Sequence, residues 1–334
     1  IGVARTLKLD ESILINLDPK VFRGIAQDSI VMNLDDLICS GARSSILISS
    51  TINRNAMNCP QEVIKELIFG TEDFLESMRC LGINIHSGGG ETADVGDLTG
   101  TIIVDSCATA ILKRQDVIKN EISEDLTIVG FSSTGKATYE TAENSGIGSN
   151  GLTSARHELL SNFYKEKYPE TTDLSIDPAL SYCGRWRLND QLPGTSMTIG
   201  SALLSPTRTY APLIVALCQE LKDEIKGIVH CSGGGQTKCL RFGRNIHFVK
   251  DQLFEVPPLF KTIQLASNTS WHEMYKTFNM GHRMELYIKP RHVDSVISLA
   301  KSFKIGAKII GYTEWAKNNC LTLKKGNQKL FYES

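Results

Sequence analysis

The sequence has no CxxC pair, no apolar run long enough to cross a bilayer, no excess of positive charge and no Gly-Lys-Ser/Thr phosphate loop. Each absence closes a class of function. The nine cysteines (Cys39, Cys59, Cys80, Cys107, Cys183, Cys218, Cys231, Cys239 and Cys320) are scattered, and their number is odd. A chain of 334 residues with such usage reads as a protein of a reduced, cytoplasmic compartment rather than a disulfide framework, and no clustered ligands mark a structural zinc site. Apolar runs such as Ile102-Ile103-Val104 are far too short for a membrane span, and no signal peptide opens the chain. Lys and Arg number 36 against 37 Asp and Glu, a net charge of −1. No global field holds a polyanion, so nucleic acid is not an expected partner and any bound phosphate must be held by local groups. The histidines other than His230 show no HxxxH or HxH spacing, and the three tryptophans are isolated, with no aromatic ladder for bases. What remains is the composition of an ordinary globular protein, 41% hydrophobic and 22% charged, of a length that suits about two domains. Because the chain starts at Ile1 rather than Met, a preceding segment is expected.

Hydrophobic periodicity predicts a helix over 28–38, with Gly41 as its C-terminal cap, and a strand over 46–51. Pro60 opens the clearest helix, in which Val63, Ile64, Leu67, Ile68, Phe74, Leu75 and Met78 recur at helical spacing as far as Arg79. A short strand over 83–86 runs into a turn at Gly88-Gly89-Gly90, and 101–112 reads as a strand buried on both faces. The charged stretch 113–125 is the expected boundary between an N-terminal α/β domain, residues 1–122, and a C-terminal α+β domain, residues 123–334. Beyond it come a strand at 126–131, a Gly/Ser-rich loop, a helix from about Leu152 and an irregular region to about Gly200. A helix at 211–225 follows, then a strand at 227–230 entering Gly233-Gly234-Gly235, and a tail of strand, helix and strand at 284–288, 292–303 and 308–312.

Five segments carry chemistry. In Gly88-Gly89-Gly90-Glu91-Thr92-Ala93-Asp94 the glycines let backbone N–H groups approach a phosphate, while Glu91, Asp94 and Asp97 offer the hard oxygens that Mg²⁺ takes, a combination that suits a metal–nucleotide site. Asp35-Asp36 sits in an apolar helix, where adjacent carboxylates cannot share a side, so one faces solvent and the other a cleft. Ser145 to Gly151 is a small-residue loop entering a helix, a ready anion site through Ser149, Asn150 and Gly151, although Ser149 equally suits an N-cap. His230-Cys231-Ser232-Gly233-Gly234-Gly235 again brings a strand into glycines. Its adjacent Cys and His point to opposite faces and form no nucleophilic pair, leaving Cys231 as a small buried side chain. Pro206-Thr207-Arg208-Thr209-Tyr210 holds one arginine that can clamp a phosphate or make an ion pair.

Taken in order, these segments resemble the aminoimidazole ribonucleotide synthetase family, the phosphoribosylformylglycinamidine cyclo-ligases of purine biosynthesis. The resemblance covers most of the chain: Met32 to Ala42, Gly89-Gly90-Glu91-Thr92-Ala93, Ser149-Asn150-Gly151, Leu204-Ser205-Pro206-Thr207-Arg208, Ser232 to Gly235, and Glu273-Met274-Tyr275-Lys276-Thr277-Phe278-Asn279-Met280-Gly281. The Gly-Gly-Glu-Thr-Ala run marks the wider superfamily, and Glu273 to Gly281 is the specific one. The resemblance implies an N-terminal α/β and a C-terminal α+β domain, with two chains pairing through their N-terminal sheets into a homodimer. It implies ATP-dependent ring closure of formylglycinamidine ribonucleotide through an iminophosphate, with Mg²⁺. By position it assigns Asp36 and Glu91 to Mg²⁺–ATP as catalytic and metal-binding residues. Gly89, Gly90, Thr92 and Asp94 fall to the ATP site, and Ser149, Asn150, Gly151, Arg208, Gly233 and Gly234 to substrate or phosphate.

Three departures accompany it. The family's glycine-rich Asp-Gly-x-Gly-Thr-Lys segment is met here only by Gly2 to Thr6; Gly148 stands where many members have a histidine before Ser-Asn-Gly; and Asp94 stands where Glu is common. Selenophosphate synthetases and thiamine-monophosphate kinases are similar enzymes sharing the Glu-Thr-Ala region, and Glu273 to Gly281 argues against both. A non-catalytic nucleotide-binding homologue is the third reading, opposed by the retained Asp36 and Glu91.

Overall fold

The computed structural model describes residues 19–43, 45–173 and 175–334, and the segment Gly2 to Thr6 lies outside them. Helix α1 (Arg23–Cys39) buries Ala26, Ile30, Val31, Leu34 and Ile38 along one stripe and ends at Gly41, whose N–H donates to Ile38 O at 2.8 Å with φ +98°. Strand β1 (Ile46–Arg54), helix α2 (Gln61–Cys80) and strand β2 (Ile85–Asp94) form a βαβ unit, and β3 (Ile102–Thr109) returns antiparallel, giving the sheet order β2-β1-β3. Helices α1 and α2 cover one face of this sheet with Ile46, Ile48, Ile52, Ile85 and Ile102.

Two expectations change here. The glycines at 88–90 do not make a turn: β2 continues through them to Asp94, with a bulge opposite Ile48 and Ser50. Strand β3 is not buried on both faces either. Its burial alternates, and the outer face of the sheet leaves Leu47 47% and Ile103 49% exposed. A strand covered by helices on both sides was inferred from its apolar content, whereas the helices lie on one side only.

The second sheet has seven strands in the order β10-β9-β6-β8-β4-β7-β5. These are β4 (Thr127–Ser132), β5 (Ile225–His230), β6 (Ile246–Lys250), β7 (His282–Ile288), β8 (Ala307–Trp315), β9 (Cys320–Lys325) and β10 (Gln328–Glu333). All pairings are antiparallel except β6 with β9. Periodicity does not reveal β6, β9 and β10, because each spans only five or six residues. The connecting helices are α3 (Leu152–Leu159), α4 (Phe163–Lys167), α5 (Ile199–Leu203), α6 (Ala211–Leu221), α7 (Pro258–Ser267), α8 (Trp271–Thr277) and α9 (Val293–Ser302).

One apolar core joins the two parts. Ile30, Val31, Leu34 and Ile38 of α1 meet Val129 and Phe131 of β4, Leu213 and Ile214 of α6, Ile228 of β5 and Met284 of β7. Helix α1 is therefore a wall shared by both sheets, and its polar side chains at this wall face the loops of the larger part. Among the described residues no helix is long and apolar enough to cross a membrane.

Candidate functional site

The site begins with three carboxylates on α1. Asp28 and Asp35 are two turns apart and so share a face. Asp28 Oδ1 accepts the Thr207 backbone N–H at 2.7 Å, and Gln27 Nε2 donates to Thr207 O at 2.8 Å. Asp35, fully buried, accepts the Thr209 hydroxyl at 2.6 Å and the Tyr210 N–H at 3.1 Å, directly before the first turn of α6. Burial pushes the Asp28 and Asp35 carboxyls up, opposed by the Thr207 hydrogen bonds and by the positive fields of His230 and Arg283 respectively. Asp36, one residue on, turns outward. Its side chain is 61% exposed, and Oδ1 lies 2.8 Å from Nδ1 of His230, which is 1% exposed at the end of β5. The two carboxylates diverge as expected and Asp36 faces outward beside a histidine, but Asp35 faces no cleft: it is fully buried, its oxygens taken by Thr209 and Tyr210 of the 207–210 loop. His230 Nε2 is buried with no hydrogen-bond partner among the described residues.

The loop Ser145 to Gly151 lies against the same 207–210 segment. Ser149 Oγ is 3.1 Å from Thr207 Oγ1, while the N-cap of α3 is Gly151, at φ +79°. A side chain at Gly151 would meet the Phe278 ring at 2.4 Å, and Asn150 Nδ2 donates to Thr277 O at 2.5 Å. The third loop, Gly233 to Gly235, also has positive φ at each glycine, and a Cβ on Gly235 would sit 2.5 Å from Tyr275 O and 2.6 Å from Phe278 O.

One segment therefore holds both glycine loops. Buried Asn279 donates to Gly146 O at 2.7 Å and Ile147 O at 3.3 Å, and accepts from the Ser133 hydroxyl at 2.9 Å and the Gly281 N–H at 3.0 Å. Its own carbonyl accepts from Gln236 Nε2, at the end of the Gly233 loop, at 2.7 Å. The Glu273 to Gly281 run is thus a bracket that sets these two loops side by side.

The remaining site candidates fare differently. Arg208 is not available to a phosphate. Its buried guanidinium spends all five N–H groups within the protein: on both oxygens of Glu140 at 2.9 and 2.5 Å, on Ser132 O and Thr134 O, and on Gly135 O. Sequence left a clamp and an ion pair open, and the structure chooses the ion pair. On the outer strand β2, Gly89 has φ +85°, and a Cβ on Gly90 would lie 2.1 Å from Ser50 O, so close approach of β1 requires that glycine. Glu91 and Thr92 are exposed, with no hydrogen-bond partner for the Glu91 carboxylate among the described residues, and Asp94 Oδ1 accepts from Ala56 N–H at 3.1 Å. None of the described hydrogen bonds or ion pairs joins Glu91 to Asp36.

Behind the Gly233 loop, Cys231, His282 and Glu285 bring ligand atoms within 4.8 Å of one another, a grouping that spacing along the chain does not reveal. Its cation is already present. Lys250 Nζ donates to Glu285 Oε1 at 2.5 Å and to Gln236 O at 2.8 Å, His282 Nε2 lies 3.0 Å from the same carboxylate, and Tyr287 OH donates to its other oxygen at 2.7 Å. A buried ammonium in contact with the carboxylate opposes a metal there. Burial pushes the Cys231 thiol well up, as an inert core thiol requires.

Two profiles cover nearly the whole chain: AIR synthase related protein, N-terminal domain, over residues 8–112, and AIR synthase related protein, C-terminal domain, over 127–323. The chain belongs to the AIR synthase related family. A phosphoribosylformylglycinamidine cyclo-ligase of Methanococcus vannielii is 30% identical over 88% of this chain and 72% of its own. In solved structures the fold of this AIR synthase related chain is matched by E. coli HypE, a hydrogenase maturation protein, with TM-score 0.56 at 14% identity over 93% of this chain and 79% of that one. It is also matched by T. maritima PurL complexed with FGAR, with TM-score 0.54 at 13% identity over 92% of this chain. The chain spans about two fifths of PurL, 42%. The α/β plus α+β architecture expected of the family is the one present.

Proposed function

We propose that this chain is an ATP-dependent cyclo-ligase that closes formylglycinamidine ribonucleotide to 5-aminoimidazole ribonucleotide, releasing ADP and phosphate. The observation that carries the reading is the bracket at Asn279, which sets two bare glycine loops beside the carboxylates of α1. The relatives' shared name supports it. The reaction needs two phosphorylated molecules held together: the γ-phosphoryl group passes to the formamide oxygen, the neighbouring amidine nitrogen attacks that carbon, and the C–O bond breaks as phosphate leaves. Loops 145–151 and 233–235 are assigned to the phosphates, through Ser149, Asn150, Gly151, Gly233 and Gly234; Arg208 is left out because its donors are spent.

Asp36 and Glu91 carry exposed hard oxygens of the kind Mg²⁺ takes, and the reading assigns both to it, with Gly89, Gly90, Thr92 and Asp94 on the nucleotide side. Bound there, Mg²⁺ would neutralise charge on the transferring phosphoryl group. The reading divides the chain into an N-terminal domain, 1–122, and a C-terminal domain, 123–334, and places it in the cytoplasm as a homodimer. The half-exposed Leu47 and Ile103 on the open face of the small sheet support pairing through that face.

The test is incubation with formylglycinamidine ribonucleotide, ATP and Mg²⁺, assaying 5-aminoimidazole ribonucleotide and ADP together. Matched formation of both, lost in Asp36→Asn and Glu91→Gln, is expected. ADP without the imidazole would replace this reading with a kinase.

A further inference from the structure

Arg283 is a buried cation with most of its donors unspent. It lies in β7, 3% exposed, beneath the 145–151 loop. Of its five N–H groups, one on Nη2 reaches the Arg208 carbonyl, while Nε is buried with no hydrogen-bond partner among the described residues. The guanidinium carbon stands 5.5 Å from the centre of the Tyr210 ring. The carboxylates of Asp28 and Asp35 feel its charge, their oxygens being held by Thr207, Thr209 and Tyr210. Arg208, in the same part of the fold, is saturated. A buried guanidinium left so incompletely paired is costly unless something else supplies the acceptor.

Its position says where the acceptor enters. Nη1 lies 2.9 Å from the point that a Cβ on Gly148 would occupy, so the tip of the guanidinium borders the side-chain position of residue 148. Above it the loop presents bare backbone, with positive φ at Gly146, Gly148 and Gly151, the Ser149 and Thr207 hydroxyls in contact, and an α3 N-terminus without a side-chain cap. Such an arrangement offers N–H and O–H donors from above and a planar, always-charged fork from below.

We propose that Arg283 supplies the cation for a phosphate monoester bound at the Ser149–Gly151 loop and the Thr207 hydroxyl, with Gly148 kept small to admit it. The inference rests on reading that loop as a phosphate site and adds the residue that neutralises the charge. A ribonucleotide 5′-phosphate is such a monoester, and the terminal phosphoryl group of a nucleoside diphosphate presents the same three free oxygens from an anhydride, so both are titrated.

Calorimetric titration of the full chain with ribose 5-phosphate and, separately, with ADP is compared with Arg283→Met and Arg283→Lys. Loss of a charge-assisted contact predicts about tenfold to a hundredfold weaker binding of one probe in Arg283→Met, with the other unchanged, and a smaller loss in Arg283→Lys. The probe that weakens names the phosphate source. Should Arg283→Met not fold, Gly148→Ala is measured instead, because its methyl group displaces Nη1 without removing the charge. A folded variant that binds both probes as the wild type does, or a wild type that binds neither, overturns the proposal and leaves Arg283 as an internal counter-charge for Asp28 and Asp35. An Arg283-dependent affinity in a protein that makes no aminoimidazole ribonucleotide keeps this inference and rejects the cyclo-ligase. Undiminished cyclisation by Arg283→Met, with unchanged probe affinities, does the reverse.

Discussion

Replacing Asn279 by Ala is the sharpest test of the bracket. The substitution removes four side-chain hydrogen bonds at once: two donated, to Gly146 O and Ile147 O, and two accepted, from the Ser133 hydroxyl and the Gly281 N–H. The groups left behind are buried, and an orphaned buried polar group costs about 1–3 kcal/mol. With the 3.3 Å contact to Ile147 counted at the weak end, the loss is on the order of 4 kcal/mol, at the upper edge of what single substitutions do. Asn279→Asp separates the donors from the acceptors. It keeps an oxygen for Ser133 and Gly281 but turns an acceptor towards two carbonyls, so it should be destabilised at neutral pH and regain stability on acidification, when a protonated carboxyl can donate to Gly146 O. The carboxyl's folded pKa would be raised, so this part of the stability is present at low pH and lost as pH rises through it. Urea unfolding by circular dichroism gives the energies, and hydrogen exchange read by mass spectrometry over 145–151 and 233–236 locates the effect. A cost below about 1 kcal/mol in Asn279→Ala, with exchange at both loops unchanged, would refute the bracket.

Three further outcomes are expected. Burial alone would raise the Glu285 carboxyl, but Lys250 and His282 outweigh it and hold it at about 2, so the stability it contributes is full above pH 4.5 and drains away as pH falls towards 2. Glu285→Gln strands the buried Lys250 ammonium at a cost of about 3–5 kcal/mol and should flatten that acid slope in urea melts; an unchanged slope would contradict it. Burial, aided by Arg156 and Lys165, lowers His157 to about 4 from 6.5. The unfolded chain then takes up the proton first, so stability should decline from pH 6.5 to 4 and level off below, and a wild-type-like decline in His157→Gln thermal melts would sink the assignment. Arg208→Lys keeps the charge but cannot reproduce the bidentate contact with Glu140 or reach all three carbonyls, so it should lower the melting temperature while ADP affinity, measured by calorimetry, stays the same.

What sequence made legible here follows from range. Helices α1 and α2 were readable because their burial is periodic over many turns, and the Asp35–Asp36 split because adjacent helical residues must diverge. The glycines of 88–90 misled because a triple glycine has two uses, a turn and a close strand contact; Gly90 serves the second, against Ser50. Arg208 misled because one arginine in a polar loop is chemically equal as clamp or strut until Glu140, 68 residues away in sequence, closes on it. Asp28 had a signal that went unused, two turns ahead of Asp35 on the same face. Arg283 had none, since its role depends on Gly148, 135 residues earlier in the chain, by the difference of their numbers.

The long-range pairs also explain how a short segment, 273–281, can hold two distant loops. A glycine loop holds a phosphate only if its amides stay aimed, and a chain of small residues with positive φ has little stiffness of its own. Stiffness must come from outside the loop. In this chain it comes from the backbone carbonyls of Tyr275 and Phe278 against Gly235, the Phe278 ring against Gly151, and the side chain of Asn279 across Gly146 and Ile147. A bulky residue at Gly151 or Gly235 would collide with this bracket, and a residue without an amide at 279 would release it. The constraint therefore falls on both partners at once, and the buried Asn279 acts on the loops through Gly146, Ile147 and Gln236.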